Sequence, residues 1–244
     1  MELLAVAVIG LGIGFLGGMF GKGGSAIATP LLYAIGLPAV VAVAAPLPAT
    51  IPSTVAASIP YRREHLVDKR VVRWSLAFGV PATALGALLT MWIDASDLVR
   101  ITDVILVCLG IRFLVAPQKE HAEKAVISDA RLILVAVMVG LVSGLLANSG
   151  GFLLAPLYVA IVKLPIKPAF ASSLAVAAVL AVPGTVVHAW LGHIDWAVVG
   201  VFAMTSVPLA FVGGRVAVRT DAARLERFYG VLLVVLGAVF LVRG

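Results

Sequence analysis

Charged residues are scarce: Asp, Glu, Lys and Arg together make up 12% of the 244 residues, about half the ~25% usual in a soluble domain. With 62% hydrophobic residues and a mean hydropathy of +1.13, no soluble fold could keep that much apolar surface from water. Cysteine is nearly missing too. The single Cys108 lies in an apolar run, which excludes an intrachain disulfide framework; a small packed hydrophobe is expected there. No Lys or Arg precedes Lys22, so the positive start of a cleaved signal peptide is lacking and the first apolar segment is expected to be retained. The chain has no HExxH, no Gly-x-Ser-x-Gly and no pair of aspartates inside apolar runs, so an intramembrane enzyme would lack its residues. No cofactor motif is present, and none is expected. The net charge is +6, but the basic residues form no face interleaved with aromatics. They read as topology signals in a lipid bilayer rather than as a nucleic-acid surface.

What is present is a series of apolar runs. A membrane-spanning helix needs roughly 20 apolar residues, and unpaired backbone groups are not tolerated in lipid, so the runs are expected to be helices. They fall at 3–20, 24–37, 39–60, 71–92 and 98–115, then at 131–147, 150–162, 168–190, 196–214 and 228–242. The second run of each set is too short to span. An internal repeat underlies this order. At an offset of 127, Leu37-Pro38 falls on Leu164-Pro165, Asp68 on Asp195, Pro81 on Pro208, Gly86 on Gly213, Asp94 on Asp221 and Arg100 on Arg227. At 126, Gly14, Gly18, Gly24 and Pro30 meet Gly140, Gly144, Gly150 and Pro156. The expected organisation is a first repeat at 1–116, a cytoplasmic linker at 117–130 and a second repeat at 131–244.

Lys and Arg in short loops stay cytoplasmic. They cluster at Arg62, Arg63, Lys69, Arg70 and Arg73; at Arg112, Lys119, Lys124 and Arg131; at Lys163 and Lys167; and at Arg215, Arg219, Arg224 and Arg227. Five segments per half put all of these on one side. The basic loop 62–73 then corresponds to the nearly uncharged 189–200, as expected when the second half is inverted relative to the first. The fold class read from the sequence is therefore an all-α integral membrane protein of two inverted-topology repeats, with eight or ten transmembrane segments. The first two segments of each half are broken or re-entrant around a Gly-rich loop, and the charge count is the same for both versions. The protein is expected in the cell (inner) membrane, both termini on the non-cytoplasmic side, with a homodimer compatible with the sequence.

The two breaks carry the candidate site. One is Gly21-Lys22-Gly23-Gly24-Ser25, leading to Pro30; the other is Asn148-Ser149-Gly150-Gly151, leading to Pro156. Clustered glycines favour unwinding and let a ligand approach the backbone, and the helix begun after each break offers free N–H groups and a positive dipole end to an anion. Discontinuous helices at equivalent places in inverted repeats mark a transporter's central site. A lysine in such a stretch needs water, an anion or the interface, so Lys22 is expected to help neutralise a small anionic substrate. The bland reading is packing, because Gly14-x-x-x-Gly18 and Gly140-x-x-x-Gly144 also let helices approach closely. A second group of candidates is Ser172 and Ser173, with Thr50, Ser53 and Thr54 in the matching region of half one; the competing reading is a hydroxyl bonded to its own helix. His188, His193 and His65 are expected to be loop residues, without a third ligand for a metal.

The segments GKGGSAIATP (21–30) and NSGGFLLAP (148–156), with ASSLAV (171–176) and HAWLGHIDW (188–196), resemble the TauE/SafE family of sulfite and organosulfonate transporters. The resemblance spans essentially the whole chain. It implies a multi-pass carrier of sulfite or a sulfonate, with alternating access and a coupling proton or ion as further expectations. The chain departs from the family's glycine triplet at Lys22 and at Asn148-Ser149, and carries Ala45-Pro46 where half two has Ser172-Ser173. The alternatives are an anion channel, which a glycine-rich backbone can also line, and an intramembrane enzyme.

Overall fold

Apolar runs bounded by Gly, Pro and charge become helices because the backbone has no other way to pair its polar groups in lipid. The computed structural model describes residues 2–21, 25–89, 107–115, 128–145 and 149–243. In half one α1 is Glu2–Phe20, α2 Ser25–Ala34, α3 Ala39–Ala44, α4 Pro46–Arg63 and α5 Lys69–Leu89, with helical residues 107–115 as α6. In half two α7 is Asp129–Leu145, α8 Gly151–Leu157, α9 Ile166–Trp190, α10 Trp196–Arg219 and α11 Ala222–Arg243. α8 runs into a π turn at Tyr158–Val162. Among the described residues there is no strand, and the chain is an all-α membrane protein.

α1, α4 with α3, α9 and α10 are each long and apolar enough to cross a bilayer. α2, at ten residues, rises only about 15 Å, half of the ~30 Å hydrocarbon core. Leu37, just past α2, shares a core cluster with Val6 near the start of α1 and Val198 near the start of α10. The chain has therefore come back to the end from which α1 set out. α3 and α4 form one apolar helix whose hydrogen-bond ladder is interrupted at Ala45, since Pro46 and Pro48 have no N–H to give.

Packing interlocks the halves: α1 lies along α10 and α5 along α7, with α4 and α9 crossing between them. Glycines make both seams. A Cβ on Gly14 would lie 2.6 Å from Ser206 Cα, one on Gly18 2.7 Å from the Ala210 carbonyl carbon, and one on Gly213 2.9 Å from Met19 N. On the other seam a Cβ on Gly140 would meet the Gly79 carbonyl oxygen at 2.5 Å, and one on Gly86 would lie 3.0 Å from the Leu141 carbonyl carbon. The packing reading of Gly14, Gly18 and Gly140 is thus realised.

The repeated aspartates also have a local reason. Asp68 Oδ1 accepts from the amides of Arg70 and Val71, and Asp195 Oδ1 from those of Ala197 and Val198, so each caps the helix that follows. Asp221 does the same for α11 through Ala223 and Arg224. Cys108 was expected to be packed; it is exposed on α6 instead, and on the outer face of a bundle an apolar side chain finds lipid as suitable as protein.

Candidate functional site

Most of the described basic residues gather where α4 and α10 end and α5, α7 and α9 begin. Arg70 donates to Asp129 Oδ1 at 2.8 Å, tying the loop after α4 to the start of α7. Lys167 Nζ donates to the Val218 carbonyl at 2.8 Å, tying the α9 start to the end of α10. Burial, and then the charges of Arg112 and Arg131, hold the Lys163 ammonium below its ordinary range. A pocket of ≈ 220 Å³ at the same end is lined by Arg63, Glu64, Arg215 and Arg219.

The first break sits next to this end. α1 stops at Phe20 and Gly21 takes φ 67, a left-handed conformation that only glycine adopts without strain. Ser173 Oγ, fully buried in α9, donates to the Gly21 carbonyl at 2.8 Å and also to its own Phe170 carbonyl at 2.9 Å. A Cβ on Gly21 would lie 2.6 Å from that hydroxyl. Tyr61, buried at the end of α4, donates to the carbonyls of Met19 at 3.0 Å and Gly18 at 3.2 Å. The carbonyls that α1 leaves without helical partners are thereby held by side chains from α4 and α9. Ser172 points elsewhere. Its Oγ accepts from the Asp68 amide at 3.1 Å, fastening the α4–α5 loop to α9.

The second break is seated against α7. Ser149, Gly150 and Gly151 are buried, Gly150 has φ 65, and a Cβ there would touch Val139 at 3.0 Å and Ser143 at 3.2 Å on α7. Those residues lie ten to fourteen positions beyond Asp129, about 15–21 Å along the helix. Gly21 thus packs beside Phe170 and Ser173 near the start of α9, and Gly150 beside the middle of α7. Lys22, Gly23, Gly24 and Asn148 lie outside the described residues. So does Asp103. Ser25 opens α2.

A small cavity is lined by α1, α4, α9 and α10, with Gly14, Gly17, Gly18, Thr50, Ser53, Thr54, Leu174 and Ser206 in its wall. Its free volume of ≈ 10 Å³ holds about one water molecule. Ser53 Oγ and Ser206 Oγ face each other at 2.9 Å across α4 and α10. Thr50 and Thr54 donate to Pro46 and Thr50 carbonyls, both at 2.8 Å. Own-helix bonding is thus right for the two threonines and wrong for Ser53. Ser206 escaped sequence reading because its repeat partner is Gly79, which bears no polar group; its signal was a Thr-Ser pair ahead of Pro208 in an apolar run. His188 and His193 bring their Nδ1 atoms within 3.3 Å of each other at the end of α9.

Residues 6–240 match the family described as sulfite exporter TauE/SafE. Two proteins named probable membrane transporter protein, from Xylella fastidiosa strains Temecula1 and 9a5c, are each 27% identical over 97% of this chain and 94% of their own length. No solved structure matches. The chain belongs to the TauE/SafE family and is a multi-pass membrane transporter.

Proposed function

We propose that the chain is a secondary transporter that carries sulfite or an organosulfonate by alternating access, with the anion held between the two Gly-rich breaks. The observation that carries this reading is the pair of interrupted helices, α1 ending at Phe20 and α8 beginning at Gly151, set into an interlocked pair of half-bundles. A rocking of one half against the other would open the space between the breaks to one side and then the other. Break one brings Lys22 to its neighbourhood in the sequence, and the Arg63, Arg215 and Arg219 pocket beside it raises the local concentration of anions. In this reading the basic end is cytoplasmic.

The test is a thermal-shift screen of purified protein against sulfite, sulfoacetate, taurine and sulfate. A ligand present at 100 times its Kd stabilises the native state by about 2.7 kcal/mol, and Lys22→Gln and Lys22→Met are expected to weaken that shift. Absence of a shift with every anion, or equal affinity in the Lys22 variants, would remove the proposed site.

A further inference from the structure

The cavity beside break one differs in chemistry from an anion site. We infer that the space enclosed by α1, α4 and α10 binds a small monovalent cation of sodium's size, and that this cation couples to transport of the anion. The coupling role rests on the transporter reading; the binding site does not.

Four buried hydroxyl oxygens line the space: Thr50, Ser53, Thr54 and Ser206, each between 1% and 7% exposed. Thr50 and Thr54 have committed their hydrogens to carbonyls of their own helix, so what they offer is lone pairs. The Ser53 and Ser206 hydroxyls share one hydrogen bond, leaving a single hydrogen for anything else. Each can turn that hydrogen toward a carbonyl one helical turn back, which leaves lone pairs as what the hydroxyls in the wall offer. An anion would need donors, and these groups are acceptors.

The surroundings have the same sign. Gly17 and Gly18, also in the wall, lie in the last turn of α1, which ends at Phe20, where the helix dipole is negative. Coupling cations in transporters are held by such C-terminal helix ends and interrupted backbone. Size and charge select further. A sulfonate does not fit a space that takes about one water molecule. Among the described residues no carboxylate lines it, and hard divalent cations are bound by carboxylates, so the match is a monovalent ion. Among the described residues, no titratable side chain lines the space to take up a proton.

The experiment is binding of ²²Na⁺ to purified protein, together with melting in NaCl, LiCl, KCl and choline chloride. Saturable ²²Na⁺ binding is expected, with melting raised by Na⁺ over choline. Ser206→Ala and Ser53→Ala each remove an oxygen and are expected to weaken binding at least about tenfold, since bonds to charged groups are the strong ones. Thr50→Val keeps the side-chain shape and gives a second route to the same loss, while melting in choline reports whether each variant is folded. Lys22→Gln is expected to leave Na⁺ binding intact. Absence of saturable binding, meaning a cavity filled by water alone, overturns the inference, as does Na⁺ binding unchanged in all three hydroxyl variants. In proteoliposomes, anion uptake equal in Na⁺ and choline overturns the coupling role while leaving the transporter standing. Na⁺ binding without any anion uptake supports the cation site and counts against the transport proposal alone.

Discussion

Gly14→Ala and Gly12→Ala place the same methyl group two residues apart on α1, with opposite expected results. A Cβ on Gly12 has no heavy atom within 4 Å, whereas one on Gly14 would lie 2.6 Å from Ser206 Cα and 2.8 Å from its carbonyl carbon. Ordinary carbon contacts are about 3.5–4.0 Å, so α1 and α10 would have to separate by about 1 Å along a seam whose atoms are backbone on both sides. Overpacking of this kind costs about 1–3 kcal/mol, and a contact in which neither side can rotate away belongs at the upper end. Alanine improves the helix by about 1 kcal/mol at either position, so the difference between the variants isolates the clash. Near 3 kcal/mol that is roughly 6–12 °C in Tm for a chain of this size. The assay is thermal unfolding of both purified variants in one detergent, with Gly140→Ala on the α5–α7 seam expected to follow Gly14→Ala. Equal melting temperatures for Gly12→Ala and Gly14→Ala would refute the glycine-seam account.

Three further outcomes follow from single contacts. Asp195→Ala removes the acceptor for the Ala197 and Val198 amides and is expected to cost about 0.5–2 kcal/mol of stability, read as a lowered Tm; Asp68→Ala should match it at the equivalent helix. Tyr158→Phe and Ser75→Ala each break a buried 2.6 Å hydrogen bond, and a double-mutant cycle of melting temperatures is expected to show coupling of about 0.5–1.5 kcal/mol. Asp129→Asn breaks an ion pair whose side chains are 51% and 43% exposed, so the change is expected to stay below about 1 kcal/mol and to vanish in high salt.

How much of this was legible depends on what kind of information each feature needs. Apolar runs located the helices closely: the run 131–147 became Asp129–Leu145, and 168–190 became Ile166–Trp190. α10 continues five residues past its apolar run, to Arg219, since a helix already formed extends into water and carries Arg215 with it. The break at Gly21 was readable from glycine content, but its anchoring was not, because Ser173 and Tyr61 are distant in sequence and meet only through packing. Ser172 and Ser173 read alike as adjacent hydroxyls, yet a helix turns successive residues by about 100°, sending one to the Asp68 amide and the other to Gly21. The cavity was partly visible as Thr50, Ser53 and Thr54, and Ser206 completes it from the other half.

The most direct test of the carrier mechanism is counterflow: proteoliposomes loaded with unlabelled sulfite or sulfoacetate and diluted into a trace of the ³⁵S-labelled anion. A carrier with one anion site reached alternately from each side predicts a transient, saturable accumulation of label above its outside concentration, abolished without internal anion. Label that merely equilibrates, in step with large single-channel currents, would contradict it.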